Sequence, residues 1–185
     1  MSLVQITPQT HDVVVDVVYA TDRNFTGEAV YDKPLLFLHQ ETLPILEKAI
    51  DLAAQQDLRL KIFDGFRPQA AQEKFWAFCP DPMYIMPPTK GSIHTRGIAI
   101  DLTLVTRDGE ELDMGTPFDS FLTTSHHGTP DISATAAANR YRLLGIMMSA
   151  GWDLYKYEWW HYQLFNPAAY PLIKEDYGIC GSQNG

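Results

Sequence analysis

The stretch GSIHTRGIAIDLTL, residues 91–104, decides how the rest of the chain is read. It sets His94 and Asp101 seven positions apart, joined through Gly97, and runs straight into apolar residues. The alternation over 98–104 predicts a β-strand. In an unbroken strand an odd separation would send the two side chains to opposite faces, but Gly97 permits a bend that lets them converge. Asp101 then sits among Ile98, Ala99, Ile100, Leu102 and Leu104, where an ionised carboxylate needs a cation or several donors. Two readings stay open: a structural carboxylate paired with Arg96, or a metal ligand acting with His94.

Working outward, VVVDVVYA (13–20) predicts a strand followed by a turn at NFTG (24–27). Leu43, Leu46, Ile50 and Ala53 recur at helical spacing and predict a helix from Thr42 to about Gln56, with Pro44 tolerated in its first turn. LRLKIF (58–63) reads as a half-buried strand ending at the turn DGFRP, and Pro68 opens a second helix over 68–78. Four prolines in CPDPMYIMPPTKGS (79–92) predict an irregular loop. RDG (107–109) reads as a hairpin turn and EELDM (110–114) as its return strand. The longest predicted helix runs from Ser133, its N-cap, to Gly151, just past its end. YKYEWWHYQLF (155–165) is aromatic-rich and strand-like. Helices and strands intermix without a βαβ repeat, which predicts an α+β class: one compact domain over 1–185 with a mainly antiparallel central sheet flanked by helices.

Composition narrows the function. With 185 residues, 45% of them hydrophobic and 20% charged, the chain can bury a sizeable core as one domain. A net charge of −9 with scattered Lys and Arg argues against nucleic acid or an anionic membrane as partner and favours a small solute. Two cysteines, no basic leader and no apolar run of about 18 residues predict a cytoplasmic protein without a membrane span.

A second polar pair reinforces the first. Glu158 and His161 lie three apart in EWWH, within large apolar residues, where an unused polar pair is costly. The spacing fits one helical face, whereas the composition fits a strand with a local distortion. Two His and one Asp form a ligand set of the kind catalytic zinc uses, with a further position for water, and Glu158 is then free as general base. His126 and His127 read as a surface loop, and His11 and His39 lack acidic or histidine neighbours at ligand spacing. Arg67 has two roles open to it, bracing the turn through Asp64 or stabilising a developing oxyanion.

With these motifs assembled, the sequence resembles the zinc D-alanyl-D-alanine dipeptidases, in YATDRNFTG (19–27), DGFRP (64–68), SIHTRGIAIDLTL (92–104), LDMGTPFD (112–119), NRYRLLGIMMSAGW (139–152) and EWWHYQL (158–164). The resemblance implies one zinc per chain bound by His94, Asp101 and His161, with Glu158 as catalytic base and Arg67 stabilising the transition state. It also implies that Ser92 and Asp119 hold the dipeptide, Asp119 taking its ammonium, with Tyr19 and Tyr31 in the same pocket. The implied reaction is hydrolysis of D-Ala-D-Ala to two D-alanines, in cell-wall dipeptide turnover or vancomycin resistance. The implied fold is the one shared with D,D-carboxypeptidases and the Hedgehog signalling domain. The chain departs from the family pattern in SFLTTSHHG after Asp119, which lacks the expected acidic residues, and in a short segment before Ser92. A wall-peptide carboxypeptidase and a catalytically silent zinc-binding domain are the rival readings. Retention of Glu158 and Arg67 beside the ligands disfavours the silent domain, because zinc held only for structure needs no free base.

Overall fold

The strand predicted from residues 98–104 forms the middle of the sheet. The computed structural model describes residues 2–181, so the two ends of the expected 1–185 domain lie outside the described residues. In chain order the elements are β1 (Leu3–Gln5), β2 (Val13–Val15), β3 (Phe37–His39), α1 (Leu43–Ala54), β4 (Leu58–Asp64), α2 (Gln69–Phe78), β5 (Ala99–Thr106), α3 (Ala134–Ala150), β6 (Asp153–Leu154) and β7 (His161–Gln163). Five of the strands make one sheet in the order β2-β4-β5-β7-β6, and β1 pairs with β3 in a separate two-stranded ribbon. β5 is central, and every residue from Ala99 to Val105 is buried, so the expected alternation gives way to a strand covered on both faces.

The α+β class is correct, but the sheet is mixed rather than mainly antiparallel. β2 runs parallel to β4, whereas β4, β5, β7 and β6 pair antiparallel. The direction of β2 follows from its connection: some forty residues, including β3 and α1, separate it from β4, so no hairpin joins the two. The expected strand over 13–20 is shorter than its composition suggests, because the chain turns into a short 3-10 helix at Val18–Ala20. The expected return strand over 110–114 reduces to a single bridge between Val105 and Glu111. Of 155–165, only His161–Gln163 is extended in the sheet, paired with β6, and the residues before it form turns.

The helices follow their local signals. α1 buries Leu46, Ala49 and Ala53 and packs against β4 and α3. Ser133 Oγ accepts the amide hydrogen of Ala136 at 3.0 Å, capping α3, and Gly151 donates back to Met147 beyond its other end. A single apolar core joins the sheet to the helices, with Trp152, Trp160 and Tyr162 fully enclosed. No helix among the described residues is long and apolar enough to cross a membrane.

Candidate metal centre and active site

Two local devices bring the expected ligands together. The first is at Gly97. His94 lies in a 3-10 turn, His94–Arg96, which Gly97 ends in the left-handed conformation at φ 72° before β5 begins. That reversal, which an L side chain resists, replaces the unbroken strand in which His94 and Asp101 would face apart. The second is the register of β5 and β7, in which Asp101 is the direct cross-strand partner of His161. Glu158 sits in the turn just before β7, its amide donating to Tyr155 O at 3.2 Å. A turn followed by a strand is the local distortion that the spacing requires.

The hydrogens on the two imidazoles are fixed from outside. Nδ1 of His94 lies 2.8 Å from the carbonyl of Gly65, which can only accept, so Nε2 keeps its lone pair. A Cβ on Gly65 would come within 2.7 Å of Phe37 O, so only glycine brings its backbone this close. Nε2 of His161 lies 3.0 Å from Oε1 of Gln163, which leaves Nδ1 bare. These two lone pairs face each other at 3.1 Å, and Asp101 places one oxygen 3.3 Å from His94 Nε2 and the other 3.1 Å from His161 Nδ1. All three side chains are buried. One proton relieves only one such contact, whereas a divalent cation satisfies all three donors. Bonds of about 2.0–2.1 Å at tetrahedral angles put ligand atoms roughly 3.3 Å apart, so the set fits zinc with one position open.

Around this cluster lies a pocket lined by Tyr19, Arg67, Ser92, Asp119, Glu158 and Trp160, with a rim formed by residues 82–86, Phe121 and Tyr155. Glu158 Oε2 is 3.9 Å from His161 Nδ1, and burial pushes its carboxyl up to about 8 against the pull of His161. Asp119 reaches the pocket from a residue with φ 60°. Its Oδ1 accepts the Tyr19 hydroxyl at 2.9 Å, while Oδ2 is buried without a partner among the described residues. Burial, with Asp101 adding to it, raises the Asp119 carboxyl well above its usual range. Ser92 accepts the amide hydrogen of His94 at 3.2 Å, leaving its hydroxyl hydrogen free to donate.

Arg67 is buried and doubly held. Its Nε and Nη2 both donate to Oδ2 of Asp64, at 3.1 and 2.9 Å, and its Nη1 donates to Oε1 of Gln72 at 3.1 Å. The guanidinium lies 4.9 Å from the Phe75 ring and 5.2 Å from the Tyr19 ring. Three of its five N–H bonds are thereby occupied, and Nη2 comes within 3.7 Å of Asp101. Of the two roles open in the sequence, the bracing of the turn through Asp64 is seen, and Arg67 also lines the pocket, where the second role would be exercised.

Tyr31 is the one expected pocket residue placed elsewhere. It does not line the pocket, and its hydroxyl donates to Oδ1 of Asp64 at 2.8 Å, behind Arg67. Arg96 is not the partner of Asp101; it donates to the carbonyl of Tyr170. His126 and His127 are half-buried rather than on an open loop, packed edge-on against Tyr157 and Tyr162. Sequence reading also passed over Gln163, which orients His161, and Arg140. From the middle of α3, Arg140 donates to Met114 O at 2.6 Å and Thr124 O at 2.8 Å, clamping both flanks of the loop that carries Asp119. The adjacent polar pair Asn139 and Arg140 within an otherwise apolar buried stripe is the signal that could have exposed it.

A family model described as D-ala-D-ala dipeptidase matches residues 1–177. A D-alanyl-D-alanine dipeptidase of Escherichia coli K12 is 40% identical over 166 residues, covering 90% of this chain and 86% of its own. A D-alanyl-D-alanine dipeptidase of Enterococcus faecium is 39% identical over 175 residues, covering 83% of this chain and 87% of its own. One of Enterococcus faecalis is 36% identical over 177 residues, covering 84% and 88%.

Proposed function

The chain belongs to the D-ala-D-ala dipeptidase family of peptidases, and from that premise we propose that it hydrolyses D-Ala-D-Ala to two D-alanines with one zinc ion per chain. The observation that carries this reading is the content of one pocket. Three ligand atoms converge there, beside Glu158, a carboxylate outside the ligand set, and Asp119, whose buried Oδ2 lacks a partner.

His94, Asp101 and His161 are the residues that would hold the ion, which supplies Lewis acidity and makes water a competent nucleophile at neutral pH. Asp119 Oδ2 receives the substrate ammonium, which restores a partner to that oxygen and favours its ionised form. An acylated amine would leave the carboxylate unpaired, so a free amino end is selected. Tyr19 holds Asp119 in place and Ser92 offers its hydroxyl to the peptide. Glu158 takes the proton of the attacking water and returns it to the departing amine. Arg67 directs its two remaining N–H bonds towards the carbonyl oxygen as negative charge develops there, a contribution typically worth about 10²- to 10³-fold in rate. No covalent intermediate with the chain is needed.

The proposed setting is the cytoplasm, where Cys79 and Cys180 remain free thiols, in wall-dipeptide turnover or glycopeptide resistance. The test is release of D-alanine from D-Ala-D-Ala by metal-stripped, zinc-reconstituted and Glu158→Ala protein. Zinc-dependent turnover lost in the variant supports the proposal. Stoichiometric zinc without turnover would sink it and turn attention to longer wall peptides.

A further inference from the structure

Gln72 carries a role that the reaction as described leaves unassigned. It lies inside α2 with its side chain wholly buried, an unfavourable place for an amide unless both of its ends are used. Both ends are used, and for different things. Oε1 accepts from Nη1 of Arg67 at 3.1 Å, while Nε2 donates to the carbonyl of Met86 at 2.7 Å. Met86 belongs to the rim of the pocket, within the proline-rich segment between α2 and Ser92. That segment has no helix or strand of its own, so its position depends on side-chain ties of this kind.

We propose that Gln72 is a positioning residue that fixes the Arg67 guanidinium through its amide oxygen and the pocket rim through its amide nitrogen. The inference rests on the role given to Arg67 under the proposed function. Asp64 alone does not fix the guanidinium. Both of its contacts end on one oxygen, Oδ2, and two bonds to a single acceptor leave the plane of the guanidinium free to pivot about it. The bond from Nη1 to Gln72 is the second anchor that stops the pivot, so the unoccupied N–H bonds keep one direction. Through Nε2 the same residue ties the rim to this frame, so that the wall beside the substrate and the group facing its carbonyl move as one unit.

The two ends can be tested separately on zinc-replete enzyme with D-Ala-D-Ala. Gln72→Met keeps the shape and removes both bonds. It should lower kcat about 10- to 100-fold, the range for a hydrogen bond to a charged group, and raise KM. Gln72→Glu keeps an acceptor for Arg67 but sets an oxygen against the carbonyl of Met86. It should recover most of the kcat lost in the methionine variant while KM stays raised. Zinc content should match wild type in both. If Gln72→Met changes kcat less than threefold, or if the two variants lose kcat equally, the inference is wrong. Arg67→Ala run alongside separates the two levels: wild-type turnover in that variant overturns the role of the arginine itself, whereas a large loss there with an indifferent Gln72 overturns only this proposal.

Discussion

Asp64 and Asp101 stand directly opposite each other on β4 and β5, two buried carboxylates in register, with Arg67 Nη2 2.9 Å from the first and 3.7 Å from the second. The opposition is created by a bulge. Pairing shifts between Ile62 and Asp64, so Asp64 rather than Phe63 meets Asp101. Like charges so placed repel, and the guanidinium between them is what makes the arrangement tolerable.

Removal of one partner should therefore be expensive. Asp64→Ala leaves Arg67 buried without its main counter-charge and should cost about 3–5 kcal/mol of stability by urea denaturation of zinc-replete protein. Tyr31→Phe, which removes only the hydroxyl donor to Asp64, should cost about 1–2 kcal/mol. An Asp64→Ala protein as stable as wild type would show that the pair does not hold the turn.

Asp119 should govern selection at the amino end of the substrate. Asp119→Ala is expected to raise KM for D-Ala-D-Ala by at least about tenfold, the least that loss of a charge-assisted hydrogen bond should cost. Tyr19→Phe should act in the same direction and less strongly, because it removes only the hydroxyl that donates to Asp119. N-acetylation of the dipeptide should abolish turnover in wild type. Undiminished activity of Asp119→Ala on the free dipeptide would remove Asp119 from the site.

A side chain at Gly97 should be strained mainly through the backbone, because the reversal needs φ 72°. The left-handed penalty is roughly 1–2 kcal/mol, and the end of the Leu3 side chain, 2.6 Å from an added Cβ, would have to move aside. Gly97→Ala should lower the melting temperature and weaken zinc retention against a chelator, since His94 opens the 3-10 turn that Gly97 ends. Unchanged zinc retention at a lowered melting temperature would mean that the bonds of His94 to Gly65 and Ser92 place it without the reversal.

Stability should also carry a signature of His127. Its burial, with Arg140 second, depresses the imidazole from 6.5 to about 4. A depressed histidine stabilises the fold fully above the unfolded value and loses that contribution as pH falls from about 6.5 to about 4, because the unfolded chain takes the proton first. The contribution is roughly 3 kcal/mol at most. His127→Gln should therefore flatten the fall in stability between pH 6.5 and 5, read as melting temperature against pH. Parallel curves for variant and wild type would rule the residue out.

What the sequence determined by itself was local. Helix limits at Ser133 and Gly151, the turn at Gly97, the central strand and the polar residues embedded in apolar runs all follow from spacing and residue type within a dozen positions. The candidate site residues were legible because burying His, Asp and Glu among aliphatic and aromatic neighbours is costly unless they are used. The three-residue strands β1 and β3 and the two-residue β6 are too short to show a period, and the parallel direction of β2 depends on a distant partner. Only the tertiary structure brought together His161 and Asp101, 60 residues apart, and Tyr19 and Asp119, 100 apart. Only it could place Tyr31 behind Arg67, pair Asp64 with Asp101 through a bulge, and hang the pocket rim on Gln72. Those relationships are fixed by strand register and loop closure, which depend on how distant surfaces pack together and leave little trace in local periodicity.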